Sequence, residues 1–223
     1  MSFVVAIDGP AGTGKGTITK LLAKKLNLIE IDTGAMYRCV TLECIKKNIS
    51  SKDEEKIEKV LDNIDIKLKH IDGEQKVFLN GEDVSSKIRT PEVDNLVAVF
   101  AALKIVRDKV TPIQREMGKE NDIIMEGRDI GTVVFPNADV KIFLDCSLEE
   151  RANRRYKQNL EKGINESYEE VLASIKERHK LETEREIAPL IKAEDAILVD
   201  STKMTIDEVV ETIANIITEK INK

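Results

Sequence analysis

The stretch that decides the fold runs from Gly9 to Thr17 and reads Gly-Pro-Ala-Gly-Thr-Gly-Lys-Gly-Thr. The apolar run Phe3 to Ile7 comes directly before it, and a helical pattern of apolar residues (18, 21, 22 and 26) follows. A glycine-rich turn between a strand and a helix lets backbone N–H groups surround a polyphosphate, and the positive end of the helix points at the same anion. We therefore predict a phosphate-binding loop, with Lys15 reaching the terminal phosphates.

One position departs from the common form of this motif. Ser or Thr usually follows the lysine, whereas Gly16 stands there and Thr17 comes next. A hydroxyl at position 16 is therefore lost as a direct ligand of Mg²⁺. We expect the ion to be held by nucleotide phosphates, by water and by a more distant carboxylate, and we assign no direct metal ligand.

Length and composition limit the class of protein. A chain of 223 residues with 41% hydrophobic content is expected to form a single domain over residues 1–223 with room for an insertion. A net charge of −6 and only 4% aromatic residues argue against a nucleic-acid partner. No apolar run is long enough for a membrane span, and the fold is expected to begin at Phe3, which leaves no room for a signal peptide, so we expect a cytoplasmic protein. We also expect a monomer. Its scattered cysteines are expected to be reduced and buried: Cys39, Cys44 and Cys146.

Five short apolar runs alternate with helical patterns along the chain. This rhythm predicts an α/β fold in which five parallel strands are covered by helices on both faces. The runs are Phe3 to Ile7, Leu28 to Ile31, Ile123 to Met125, Val140 to Leu144 and Ala196 to Val199. Ligands of such sheets bind at the carboxyl ends of the strands, where Asp8, Asp32, Glu126 and Asp145 are found.

Two segments interrupt the rhythm. Residues 64–90 alternate apolar and polar residues around Asp72-Gly73 and Asn80-Gly81, which predicts a small antiparallel meander within an insert of about residues 60–100. Thr90-Pro91 then begins a helix, and another helix is expected from about Lys104 to Met117. Gly163 and Asn165 separate two charged helical segments, and we expect a short helical lid over about residues 151–167.

The arginines are candidate binding residues because lysine outnumbers arginine 25 to 10 and supplies the ordinary surface. Arg151, Arg154 and Arg155 have helical spacing that places them on one face. Arg178, Glu182 and Arg185 form a second stripe, which fits either a helix laced with salt bridges or a phosphate site. His70 and His179 are expected at the surface, and neither is a good candidate for a general base.

The chain resembles the bacterial cytidylate kinases of the nucleoside monophosphate kinase family over almost its whole length. The resemblance rests on Ile7 to Thr17, Ile31 to Arg38, Glu126 to Pro136, Val140 to Asp145 and Ala188 to Leu190. It implies transfer of the γ-phosphate of ATP to CMP or dCMP, with Mg²⁺, in pyrimidine nucleotide metabolism. It also implies the five-stranded core, the monophosphate-binding insert and the lid.

The resemblance also implies roles for individual residues. ATP would be bound by Gly9, Pro10, Ala11, Gly12, Thr13, Gly14, Lys15, Gly16 and Thr17. The acceptor phosphate would be bound by Arg38, Arg128 and Arg185, the base by Thr33, Tyr37, Arg107 and Asp129, and the ribose by Arg178 and Glu182. Catalysis would depend on Lys15, Arg128, Arg185 and the lid residues Arg154 and Arg155. Arg151 would also belong to the lid.

Two positions differ from the pattern of the family. Ala98 stands where a serine commonly contacts the base, and Glu182 stands where aspartate is usual. Alternative acceptors, namely UMP, AMP or dTMP, remain open from the sequence. A nucleotide-hydrolysing switch is an alternative from another class, although no Asn-Lys-x-Asp segment for reading guanine is present.

Overall fold

The computed structural model describes residues 2–119 and 121–221. The described chain folds into two compact units, of which the first comprises residues 2–30 and 121–221 and the second residues 31–119. The single domain expected over residues 1–223 stays a prediction. No helix among the described residues is long and apolar enough to cross a membrane.

Strands and helices alternate along most of the described chain. The strands are β1 (Val4–Asp8), β2 (Ile29–Asp32), β3 (Ile66–Ile71), β4 (Glu74–Leu79), β5 (Glu82–Asp83), β6 (Ile123–Gly127), β7 (Val140–Asp145) and β8 (Ile197–Asp200). The helices are α1 (Lys15–Leu26), α2 (Thr33–Lys46), α3 (Glu54–Asp62), α4 (Pro91–Ala102), α5 (Lys104–Met117), α6 (Leu148–Glu161), α7 (Tyr168–Glu184) and α8 (Ile206–Ile221). A 3₁₀ turn covers Lys87–Arg89, and a π-helical turn covers Ile130–Val134.

The five predicted parallel strands form one sheet in the order β2-β6-β1-β7-β8. β1 pairs in parallel with β6 on one side and with β7 on the other, and β7 pairs in parallel with β8. All five residues of β1 are buried, as expected for a central strand covered on both faces. The carboxyl end of β1 therefore lies between two neighbouring strand ends, which is where ligands of such sheets bind.

The hydrophobic core of the first unit lies between this sheet and the helices α1 and α8. Ile18 and Leu22 are one helical turn apart on α1, so both face the core. They pack with Ile7 and Ile142 of the sheet and with Ile213 of α8. This burial fixes α1 against the sheet, and with it the loop from which α1 begins.

The second unit contains the predicted antiparallel meander. β3 pairs with β4 and β4 pairs with β5, both antiparallel. The two predicted turns are present, since Asp72, Gly73, Asn80 and Gly81 all have positive φ angles, as the tight turns of hairpins require. The predicted start of α4 is confirmed too, because the side chain of Thr90 accepts the N–H of Val93 and Pro91 occupies the first helical turn.

The three cysteines are buried free thiols, as predicted. Burial is the main cause that raises the pKa of Cys39, to about 12. These thiols therefore stay protonated and take no part in the chemistry discussed below.

Candidate active site

The predicted phosphate-binding loop leaves the sheet through a glycine that no other residue can replace. Gly9 follows β1 with a φ of 151°, and a Cβ atom there would lie 2.0 Å from the carbonyl oxygen of Leu144. This close approach brings the start of the loop against the end of β7. Gly14 then caps α1 in a left-handed conformation, so the helix begins at Lys15 with its first N–H groups towards the loop.

Lys15 is folded back onto this loop. Its Nζ atom donates to the carbonyl oxygen of Pro10 at 2.7 Å and to the hydroxyl of Thr13 at 3.3 Å. The residue is only 5% exposed. Burial first, and the positive charge of Arg128 second, lower the pKa of Lys15 to about 7. The amino group therefore lies inside the loop with a weakened tendency to carry its proton. An anion beside it would raise its pKa and so restore its positive charge.

Gly16 lies beside a carboxylate from a neighbouring strand. A Cβ atom on Gly16 would lie 3.0 Å from Oε1 of Glu126, at the end of β6. The carboxylate of Glu126 thus lies against the place where other phosphate-binding loops carry a hydroxyl. The neighbouring strand β6 thus places a carboxylate oxygen at this position, which agrees with the distant carboxylate expected for Mg²⁺.

Asp8 connects the end of β1 with the segment after β6. Its two carboxylate oxygens accept the backbone N–H groups of Ile130 at 2.8 Å and Gly131 at 2.7 Å. Burial is the largest influence and raises the pKa of Asp8 to about 6, although both hydrogen bonds oppose this rise. The two bonds fix the π-helical turn directly after Arg128 and Asp129, so Asp8 positions this predicted binding pair.

Glu182 joins two of the predicted arginines. Its Oε1 atom accepts a hydrogen bond from Nε of Arg178 at 2.9 Å and lies 3.0 Å from Nε of Arg128. Burial opposes ionisation of this side chain, but the charges of the two arginines lower its pKa to about 2. Glu182 is therefore ionised at any ordinary pH, and its buried Oε2 atom makes no hydrogen bond within the described structure.

Arg185 and Asp129 form a second buried pair. Nη2 of Arg185 lies 3.4 Å from Oδ1 of Asp129, and both side chains are almost fully buried. Nε of Arg185 also donates to the carbonyl oxygen of Ala188 at 2.7 Å. The Ala188-Pro189-Leu190 segment returns to α7 as well, because the N–H of Leu190 donates to the carbonyl of Glu182. This segment thus holds Arg185 in place just beyond the end of α7.

The three arginines of α6 do not act as one cluster in the structure. Arg154 is tied to the phosphate-binding loop, since Nη1 donates to the carbonyl of Thr13 at 3.0 Å and Nη2 to the carbonyl of Ser201 at 2.8 Å. Arg151 is buried against Gly12, and its Nε and Nη1 atoms have no hydrogen-bond partner. Arg155 lies at the surface and donates to Gln158. The three arginines thus lie on one helix, and each has different neighbours.

In the second unit, α2 and α5 bring several predicted base-binding residues together. Thr33, Tyr37 and Arg107 are all less than 10% exposed. The guanidinium carbon of Arg107 lies 5.4 Å from the ring centre of Tyr37, and Nη1 of Arg107 donates to the carbonyl of Ala101. Ala98 is also nearly buried, on α4. Arg107 is thus a rigid donor whose orientation is fixed by an aromatic face.

Arg38 has a partner that the sequence did not suggest. Its Nη1 atom lies 2.5 Å from Oδ1 of Asp94 on α4 and donates to the carbonyl oxygen of Ile88 at 3.1 Å. Asp94 lies in the first turn of α4, where acidic residues are common for reasons of helix stability alone. No signal in the sequence therefore distinguished it from an ordinary residue of a helix start.

One prediction about the histidines is wrong. His179 was expected at the surface, but it is half-buried on α7, and its Nδ1 atom is buried without a hydrogen-bond partner. Burial, followed by the charge of Arg151, lowers its pKa below the usual value. A charged helix pattern alone does not reveal this burial. His70 is exposed, as predicted.

These features define the class of the protein. A parallel sheet whose central strand leads into a phosphate-binding loop and a helix, with arginines near the strand ends, is typical of proteins that bind nucleoside triphosphates. A solved structure with a similar fold is that of an uncharacterized protein from Eubacterium ventriosum, with a TM-score of 0.53 and 13% identity. The match covers 97% of this chain and 99% of that one, and it shows the fold alone.

Sequence comparison identifies the family. The profile of the family described as Cytidylate kinase matches residues 5–219. Among similar curated proteins, the Cytidylate kinase of Caldicellulosiruptor saccharolyticus is 51% identical, with 94% of this chain and 92% of the relative covered. The Cytidylate kinase of Bacillus subtilis is 46% identical, with 97% and 96% covered. The chain belongs to the cytidylate kinase family and is a phosphate-transferring kinase.

Proposed function

We propose that this chain transfers the γ-phosphate of ATP to CMP or dCMP, giving ADP and CDP or dCDP. Membership of the cytidylate kinase family over residues 5–219 is the observation that carries the proposal. The buried loop lysine and the arginines paired with carboxylates support it, since both suit the recognition of phosphate groups. Family membership also favours a kinase over the nucleotide-hydrolysing switch.

On the donor side, residues 9–17 bind the phosphates of ATP. Backbone N–H groups at the start of α1 surround the anion, and Lys15 exchanges the carbonyl of Pro10 for phosphate oxygens. Arg154 holds the loop through Thr13 and so acts as a positioning residue. Mg²⁺, when bound with ATP, neutralises phosphate charge, and Glu126 fits as the carboxylate that holds the ion or its water, because it lies beside Gly16.

On the acceptor side, the reaction needs no general base. A phosphate monoester has a second pKa of about 6, so it is mostly dianionic near neutral pH. One of its oxygens attacks the γ-phosphorus, the bond from that phosphorus to the bridging oxygen breaks, and ADP leaves with the electron pair. The acceptor phosphate is bound by Arg38, Arg128 and Arg185. The transferred γ-phosphoryl group is contacted by Arg155.

The family resemblance assigns recognition of cytosine to Asp129, Arg107, Thr33 and Tyr37. Asp129 accepts a hydrogen bond from the amino group of the base, which uracil lacks. Arg107 donates to the ring acceptors, and Thr33 and Tyr37 line the same part of the second unit. Arg178 and Glu182 contact the ribose, for which the buried Oε2 atom of Glu182 is a ready acceptor.

We further propose that the protein acts as a monomer in the cytoplasm, where ATP and nucleoside monophosphates are found together. Light scattering after gel filtration measures the first point directly. A mass near the 25.0 kDa of a single chain is expected. A stable dimer would contradict it.

The acceptor is tested by supplying ATP and Mg²⁺ with CMP, dCMP, UMP, AMP or dTMP in separate reactions and measuring ADP. The proposal predicts the highest kcat/KM with CMP or dCMP. A higher value with UMP, AMP or dTMP would assign the chain to another acceptor. ADP formation that is equally fast without any acceptor would favour hydrolysis instead.

A further inference from the structure

The ion pair between Arg38 and Asp94 is a feature of the second unit that the proposed chemistry leaves unused. The side chain of Arg38 is 11% exposed and that of Asp94 is 14% exposed, so both are largely removed from water. Nη1 of Arg38 carries two hydrogens, and it contacts both Oδ1 of Asp94 and the carbonyl oxygen of Ile88. A carboxylate and a backbone carbonyl thus share one nitrogen of this guanidinium.

The carboxylate and the carbonyl have different effects on an approaching anion. Both orient the guanidinium of Arg38, but only Asp94 carries a full negative charge. That charge already compensates Arg38, and it repels a phosphate that comes to the same group. Because the pair is mostly buried, solvent and salt screen this repulsion less than they would at the surface.

We propose that Asp94 sets the affinity of this chain for the phosphate of its acceptor, by holding Arg38 in place while opposing the anion that Arg38 binds. The proposal rests on the role of Arg38 in the proposed function. Asp94 touches no reacting atom and is a positioning residue. Its opposition acts on the bound acceptor and on the transition state alike, so it raises KM for the acceptor without contributing to kcat.

The substitution Asp94→Asn separates the two effects of this side chain. Asparagine keeps the shape and an oxygen that accepts from Nη1 of Arg38, but it removes the charge. We expect the dissociation constant of CMP, measured by calorimetry, to fall about three- to tenfold, with a parallel fall in KM for CMP. KM for ATP and the affinity for cytidine, which lacks the phosphate, should not change.

Two further variants serve as controls for charge and for folding. Asp108→Asn changes the net charge of the same unit equally, but Asp108 is exposed and pairs with Lys104 on the surface of α5, so CMP binding should not change. Asp94→Ser also removes the charge and tests the proposal should asparagine fail to fold. If thermal melting shows that both Asp94 variants are unfolded, the carboxylate serves the fold and the proposal is overturned.

The variant Arg38→Met separates this proposal from the function on which it rests. Weaker CMP binding in Arg38→Met, together with tighter CMP binding in Asp94→Asn alone, is the expected pattern. Weaker binding in Arg38→Met together with unchanged or weaker binding in Asp94→Asn alone would overturn the role of Asp94 and leave the proposed function standing. Unchanged CMP binding in Arg38→Met would instead refute the role of Arg38.

Discussion

At the scale of single residues, several of the charged groups that we propose for the chemistry are buried. Lys15 is 5% exposed, and its ammonium group is satisfied by a backbone carbonyl and a hydroxyl of its own loop. These neutral partners compensate its charge only in part, which is why burial lowers its pKa. The same side chain therefore gains more from a phosphate than an exposed lysine would.

Replacing Lys15 by alanine is expected to lower kcat by about 10²- to 10³-fold, because one preorganised donor to the transferred charge is lost. The fold should persist, since the loop glycines and α1 do not depend on this side chain. Steady-state assays and thermal melting measure the two effects. Lys25→Ala, which removes an exposed lysine from the same helix, is the control and should keep normal turnover.

Binding of ATP is expected to take up protons above neutral pH. With a pKa of about 7, Lys15 is mostly neutral at pH 8 in the free protein, and phosphate raises this pKa towards its usual value. Uptake should therefore approach about one proton near pH 8 and vanish well below pH 7. Calorimetry in buffers of different ionisation enthalpy measures it, and equal uptake in Lys15→Ala would assign the proton to another group.

Asp129→Ala is expected to reduce the preference for CMP over UMP by about tenfold or more, because the acceptor for the cytosine amino group is lost. Competition between the two substrates in one reaction measures the ratio of their kcat/KM values. Asp207→Ala, which removes an exposed carboxylate from α8, should leave the ratio unchanged. An unchanged ratio in Asp129→Ala would remove this residue from base recognition.

At the scale of elements, the loop is positioned by the packing of strand ends. Gly9 lies so close to the end of β7 that a methyl group there would overlap a carbonyl oxygen. At Gly16 the contact is looser, since an added Cβ would lie 3.0 Å from Oε1 of Glu126, the end of a flexible side chain on β6. The loop sequence is thus adapted to its neighbours in the sheet.

Gly9→Ala is expected to lower the free energy of unfolding by at least about 3 kcal/mol, from a strained backbone and a clash with Leu144. Gly73→Ala is the matched control, because Gly73 also has a positive φ but has no atom within 4 Å of the added Cβ. Gly73→Ala should lower the free energy of unfolding only by the backbone strain of the left-handed conformation, about 1–2 kcal/mol. Urea unfolding measures both, and equal losses would show that the contact with β7 is unimportant.

Local patterns were sufficient to predict most elements. The turn dipeptide Asp72-Gly73 requires positive φ angles, so it revealed a hairpin without knowledge of its partners. Continuous apolar runs likewise revealed the strands of the parallel sheet, because such a run is visible without knowledge of the residues that it contacts. The order of the strands and the short π-helical turn after Asp129 depend on contacts far apart in the chain, such as those of Asp8, and no local pattern contains them.

At the scale of the whole molecule, the protein carries a net charge of −6, and the arginines predicted to bind anions are largely shielded from water. Within each unit the structure pairs these arginines with carboxylates: Arg38 with Asp94, Arg128 and Arg178 with Glu182, and Arg185 with Asp129. The sequence identified the arginines by type and spacing. It identified only the partner at helical spacing, Glu182 for Arg178, because the other pairs join separate elements.

The central claim is that phosphate passes from ATP directly to the phosphate of CMP. It is tested most directly by incubating the protein with CMP, Mg²⁺ and ATP labelled in its γ-phosphate, and then separating the products. We predict that the label appears in the β-phosphate of CDP, in amounts equal to the ADP formed. Label released mainly as inorganic phosphate, with CMP unchanged, would contradict the account.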